Sequence, residues 1–193
     1  MSRPEFDWQP IRLTQLAGCG GTFTPSVETF VVEEIPLYQP SGSGEHLYLT
    51  VRKRGMTTRD VVARVSGAFG VSDRDIGTAG LKDKEAVTTQ TLSVLTRSDV
   101  PAGLEAEGLE VLSVSRHGNK LKTGHLAGNR FQMVIAGADA DAARASLEAL
   151  AGTGAPNFFG FQRFGRDGGN IGQAYKVLKK GPRAVKSRWK ARL

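Results

Sequence analysis

A chain of 193 residues that is 39% hydrophobic and 7% aromatic can build one compact core or two small ones, which excludes a large multidomain machine. No apolar run approaches the roughly 18 residues of a membrane span, and Met1 to Pro10 is charged and broken by Pro4 and Pro10, unlike a secretory leader. The net charge of +7 becomes informative only when located along the chain, and a lone Cys19 can form neither an internal disulfide nor, by itself, a zinc cage, which leaves the reduced cytosol as the expected compartment.

In chain order, Gly18–Gly21 reads as a turn, and Thr29–Glu34 is a β-branched and aromatic run closed by Pro36, the first predicted strand. Gln39–Glu45 reads as a loop. His46–Lys53 then alternates, with Leu47, Leu49 and Val51 on one face. Thr57 or Thr58 caps a helix whose stripe is Val61, Val62, Val65, Ala68 and Phe69, and Gly70 ends it. Ile76–Gly80 leads into the charged turn Leu81–Glu85, and Ala86–Leu95 resumes as a Thr-rich strand. Two further strands are predicted at Leu109–Ser115 and Arg130–Ala136. A helix over Asp139–Leu150 is expected to bury Ala140, Ala143, Leu147 and Leu150, with two aspartates at its positive end. Pro156–Gly169 is irregular, and Gly165–Gly172 reads as a turn. The stripe Ile171, Ala174, Tyr175 and Leu178 runs to Gly181-Pro182, and Val185, Trp189 and Leu193 form another. Twenty-four glycines among these elements predict a loop-rich α/β or α+β protein.

The positive charge is concentrated. Residues 176–193, a basic helical C-terminal segment, hold eight Lys and Arg and no carboxylate, leaving 18 basic against 19 acidic residues elsewhere. A second unopposed stretch, Val111–Ala138, contains Arg116, Lys120, Lys122 and Arg130 with His117 and His125. Two such blocks suit a phosphate backbone, which rewards clustered cations through counterion release, although the C-terminal block alone reads equally well as a solvated basic tail. His46, His117 and His125 lack helical ligand spacing, no phosphate-loop or dinucleotide glycine pattern occurs, and there is no nucleophile elbow. Carboxylate chemistry or binding remains.

In the charged turn Asp83 is set between Lys82 and Lys84, whose charges would favour its ionised form, and an ionised carboxylate in a turn can serve as a nucleophile; taken alone, such a turn reads more readily as a solvent-exposed ion-pair cluster. Its segment AGLKDKEAVTTQTLS resembles the signature of the TruD family of tRNA pseudouridine synthases, A-G-x-K-D-[KR]-x-A-x-T-x-Q. Ala79, Gly80, Lys82, Asp83, Lys84, Ala86, Thr88 and Gln90 fall in register. Asn157–Gly165 (NFFGFQRFG) is similar to the family's second hallmark, and Phe30–Glu34, Gly44–His46 and Gly128–Phe131 are weaker echoes.

The resemblance implies an α+β fold with a mixed, mainly antiparallel sheet flanked by helices, here as one incomplete catalytic domain over residues 1–193. It implies isomerisation of a D-stem uridine of tRNA to pseudouridine, with Asp83 as nucleophile, an extruded base and no metal, nucleotide or redox cofactor. Substrate contacts carry over to Phe30, Asn129, Phe131 and Arg163. Read without the family, Phe30 and Phe131 are core aromatics and Gly128-Asn129 is a hairpin turn; Phe158, Phe159, Phe161 and Phe164 read as core packing in either case. Typical members are longer, so the chain matches their N-terminal part. A missing C-terminal half would leave an apolar patch or sheet edge exposed, and the chain would then be either a synthase or a noncatalytic RNA-binding fragment.

Overall fold

The computed structural model describes residues 13–156, 164 and 169–181, and the chain divides into two compact units, Cys19–Ala140 and Met1–Gly18 with Asp141–Leu193. The first unit is built on a six-stranded sheet. Its strands are β2 (Phe30–Pro36), β3 (His46–Arg54), β4 (Ile76–Thr78), β5 (Val87–Leu95), β6 (Leu109–His117) and β7 (Leu126–Met133). The order is β6-β3-β5-β2-β7, with β4 also on β5; only β2 and β5 run parallel, so the sheet is mixed and mainly antiparallel. A small second sheet pairs β1 (Gly20–Thr22) with β8 (Ala136–Ala138).

One helix, α1 (Thr58–Phe69), packs on this sheet. The Thr57 hydroxyl accepts from the Asp60 N–H while the Asp60 carboxylate accepts from the Thr57 N–H, and Gly70 closes the helix at φ +64°. Its Val61 and Val65 meet Leu47, Leu49, Val51, Leu92, Val94, Ile76, Leu104 and Leu109 in the main core. Alternation along β3 and β5 sends these residues to one face. Burying each such side chain contributes about 1.5–3 kcal/mol. On the opposite face Tyr48, Ala79 and Leu121 form a smaller cluster.

In the other unit α2 (Ala140–Thr153) and α3 (Gly169–Lys180) form where the stripes predicted helices. The expected burial of Ala140, Ala143, Leu147 and Leu150 does not occur: no residue of α2 is buried, and Leu147 is 67% exposed. An amphipathic stripe reports what a helix can bury, not whether a partner covers it. The segment 182–193, with Val185, Trp189 and Leu193, lies outside the described residues. No helix among the described residues is long and apolar enough to cross a membrane.

Three other expectations are corrected. Gly18–Gly21 is not only a turn, since Gly20 and Gly21 enter β1 at positive φ, a strand geometry open to glycine. Gly169 and Gly172 belong to α3. The strand predicted at Arg130–Ala136 begins at Leu126, which puts Gly128 and Asn129 inside β7, opposite Ile35 and Glu34, and removes the hairpin-turn reading. Cross-strand pairing with β2 outweighs local turn propensity there. The expected exposed edge is present: among the described residues no strand pairs with the outer edge of β7, and Phe131, Met133, Val134 and Ile135 are exposed there.

Gly77 in β4 has no room for a side chain, because a Cβ would lie 2.2 Å from the Leu121 carbonyl oxygen and 2.6 Å from Ser93 Oγ. Gly77→Ala should therefore lower stability by about 1–3 kcal/mol in urea unfolding. A variant as stable as the wild type would contradict this packing.

Candidate active site

Strand β5 bonds β3 along one edge and divides the other edge between β2, at Val87–Thr89, and β4, at Leu92–Val94. The break falls at Gln90-Thr91, where Glu34 Oε1 accepts the Thr91 N–H at 3.2 Å. The chain from 79 to 86 bridges β4 and β5 over this break and carries Asp83. Register places the neighbouring side chains on one face. Glu34 stands opposite Asn129, Val32 opposite Phe131 and Phe30 opposite Met133, while Thr88 lies between Val32 and Lys53.

Two buried lysines hold the bridge. Lys53 follows Leu47, Leu49 and Val51 on the core-facing side of β3 and is completely buried, donating to the carbonyl oxygens of Met56 and Asp83 at 2.6 Å each. Burial pushes its pKa from 10.5 down to about 8; Asp83 and Asp60 oppose the shift and Lys82 adds to it. The Lys82 ammonium, also buried, lies 3.0 Å from Glu34 Oε2 and donates to Asn129 Oδ1 at 2.5 Å. The Lys82 N–H donates to Thr58 Oγ1 at 2.8 Å, and the Thr58 hydroxyl donates to Gln90 Oε1 at 3.0 Å, which ties the bridge to the first turn of α1 and to β5. Because an ammonium only donates, Asn129 must offer its oxygen, which turns its NH₂ group elsewhere.

Above this network Asp83 is exposed, and its carboxylate accepts no hydrogen bond among the described residues. Of the two lysines expected to flank its charge, Lys82 points away from solvent. Lys82 turns inward to Glu34 and Asn129, Lys84 interacts with Asp60, and the buried Lys53 also interacts with Asp83. Phe30 and Phe131 stack at 6.1 Å with ring planes 12° apart, Phe23 meets Phe30 edge-on at 5.4 Å, and Phe131 is 54% exposed. The pair is thus an accessible aromatic surface, not core filling. The network joins Asp83's neighbour Lys82 to Asn129, and Phe30 and Phe131 share the face of Asn129. Arg163, Asn157 and the aromatics Phe158, Phe159 and Phe161 lie outside the described residues, and Phe164, expected in a core, is 38% exposed.

Sequence reasoning missed Lys53, Glu34 and Thr58. The position of Lys53 was available as the fourth member of the odd-numbered apolar face of β3. Glu34 and Thr58 carry no such signal, because their roles depend on the break in β5 pairing.

A mixed α+β sheet whose β4–β5 bridge carries an exposed carboxylate and is held by two buried ammonium groups, with a stacked aromatic pair on the same sheet, defines an α+β domain with a candidate active site. More particularly, the chain belongs to the tRNA pseudouridine synthase D (TruD) family, whose profile matches residues 9–178. It is 50% identical over 190 residues to the tRNA pseudouridine synthase D of Anaeromyxobacter dehalogenans strain 2CP-C, covering 95% of this chain and 55% of that protein. To the enzyme of that name from Thermus thermophilus it is 44% identical over 176 residues, covering 89% of this chain and 49% of the relative. A crystal structure from Methanosarcina mazei assigned to tRNA pseudouridine synthase D superposes with a TM-score of 0.67 at 29% identity, over 92% of this chain and 46% of that one. The chain spans about half the length of these relatives.

Glu34→Ala, which leaves the Lys82 ammonium buried without its counter-ion, should cost about 3–5 kcal/mol in urea unfolding. A loss below about 1 kcal/mol would show that the pair is not desolvated. Between about pH 8 and 10.5 the unfolded chain keeps a proton at Lys53 that the folded chain releases, so stability should gain up to about 1.4 kcal/mol per pH unit from this group. That gain should be absent from Lys53→Met; parallel stability–pH curves for the two proteins would refute it.

Proposed function

We propose that this chain carries the nucleophile and part of the substrate pocket of an enzyme that isomerises a uridine of tRNA to pseudouridine in the cytosol. The observation that carries this reading is the Lys82 clamp: one ammonium fixes both the base of the Asp83 bridge and the amide of Asn129. Asp83 attacks the ribose or the uracil ring as the N1–C1′ bond breaks. The base turns, C5 bonds to C1′, the bond to Asp83 breaks and frees its carboxylate, a proton leaves C5 and one is taken up at N1, so substrate and product have the same composition. The rearrangement is redox-neutral and requires no cofactor.

The target base must leave its stack before this chemistry can occur. The exposed ring of Phe131, backed by Phe30, offers a stacking surface, and Asn129, with its oxygen committed to Lys82, has an NH₂ group to donate to a uracil carbonyl. Arg163 is proposed as a phosphate or active-site contact from the family motif alone. The second reading, a noncatalytic RNA-binding fragment, is favoured by one observation: the chain spans about half the length of its relatives.

Incubation of the protein with unmodified tRNA, followed by mapping of pseudouridine, separates the readings. Under the catalytic reading the wild type forms product and Asp83→Asn forms none while binding the RNA equally well. Product that persists in Asp83→Asn overturns the role of this residue. Equal binding with no product from either protein identifies the chain as a binding fragment.

A further inference from the structure

All three histidines of the chain line one cleft, of about 660 Å³, on the face of β3 opposite the Asp83 bridge. His46 begins β3 and stands opposite His117 at the end of β6; the 118–125 loop adds Lys120, Lys122 and His125, and Tyr38 completes the wall. None of these residues belongs to the Lys82 network.

The hydrogen bonds fix which imidazole atoms are free. His117 Nδ1 accepts the Ser41 N–H at 3.2 Å, so its proton sits on Nε2, and its ring is held between Tyr38, stacked at 5.1 Å, and the edge of Tyr48 at 5.2 Å. The Tyr48 hydroxyl donates to the Asn119 carbonyl at 2.9 Å. Its oxygen can therefore only accept from Tyr38, 3.3 Å away, and Tyr38 in turn accepts from His125 Nδ1 at 2.9 Å. This relay is complete when His125 Nδ1 carries a proton, which leaves Nε2 of both rings for an outside partner. His46 Nδ1 is buried and makes no hydrogen bond among the described residues.

The charges facing the cleft are nearly all positive. Lys122 is exposed, while Lys120 donates to the Arg74 carbonyl oxygen and brings its charge toward His46. Glu45 is the carboxylate acting on His46. Burial first, then Lys120 and His117, hold His46 below the ordinary histidine range, with Glu45 opposing. Burial also pushes the Tyr48 hydroxyl far up, so it stays a neutral donor. Among the described residues no group of three His, Cys, Asp or Glu is placed to hold a metal ion. The outward Nε2–H of His117, and the Nε2 of His125, which can gain a proton without breaking the relay, lie beside two ammonium groups and are suited to an anion.

We propose that this cleft is a second contact for the phosphodiester backbone of RNA, strengthened by protonation of its histidines. The choice of RNA rests on the proposed function; the anion chemistry does not. An incoming phosphate favours each charged imidazole and raises its pKa, so binding must tighten as pH falls through the histidine range, about tenfold for each unit of pKa rise.

The test uses the full 193-residue chain and NMR titration of its imidazole Hε1 resonances, which report on this cleft alone because every histidine lies in it. Saturating unmodified tRNA, and separately inorganic phosphate, are added across pH 5.5–8. The expected result is an upward shift of at least two of the three pKa values with tRNA, and about tenfold tighter tRNA binding at pH 6 than at pH 8. Lys122→Gln, an exposed change, should weaken binding about three- to tenfold and reduce the salt slope by about one. If tRNA binds while the histidine titrations stay unchanged, the cleft proposal falls and the proposed function stands. If phosphate shifts the histidines but tRNA neither binds nor shifts them, the RNA partner falls and only an anion site remains. Silence toward both overturns the proposal.

Discussion

The site depends on the desolvation of one ammonium group. Lys82 has left water, and it is tolerable there because Glu34 supplies an opposite charge and Asn129 an acceptor. Each partner sits on a different strand of the sheet, Glu34 on β2 and Asn129 on β7, so the requirement to satisfy one charge fixes where the bridge between β4 and β5 lies over those strands. A second buried ammonium, Lys53, holds the backbone of Asp83 through its carbonyl. The Asp83 side chain itself stays exposed. Rigidity is placed in the backbone beneath the carboxylate and access is left above it, an arrangement that limits the reorganisation needed when a substrate arrives.

This arrangement carries a cost to stability. Lys53 is held below its ordinary pKa, so the folded state is penalised at neutral pH relative to one with an apolar residue there. Thr88 Oγ1 and Gln90 Nε2 are likewise buried with no hydrogen-bond partner among the described residues. These groups share the face and the strand that support the bridge, whereas Val61 and Val65 of α1 pack on an apolar cluster of the same face. The apolar contacts gather at the α1 end of the sheet and the buried charges at the β2–β7 end.

Strand alternation made much of the fold legible. Leu47, Leu49 and Val51 marked the buried face of β3, and Thr57 with Gly70 marked both ends of α1 through local capping. Lys53 was equally readable, since it continues that face at the next odd position, but charge pulls the eye toward solvent. Asn129 shows the opposite failure. Gly128-Asn129 has the local signature of a turn, and only the pairing of β7 with β2 makes it strand. Leu147 shows a third, in which a helical stripe forms as expected yet none of its helix is buried.

The amino-acid sequence by itself determined the family, through the ordered motif around Asp83, and it determined the segments whose hydrogen bonds and caps close within a few residues of themselves. Only the tertiary structure decided where the charges go. The distance from Lys82 to Glu34 or Asn129, and from Lys53 to Asp83, spans about 30 residues or more of chain. Whether an ammonium so placed faces water, its neighbouring aspartate or a distant carboxylate is set by strand order and register, which no local spacing encodes.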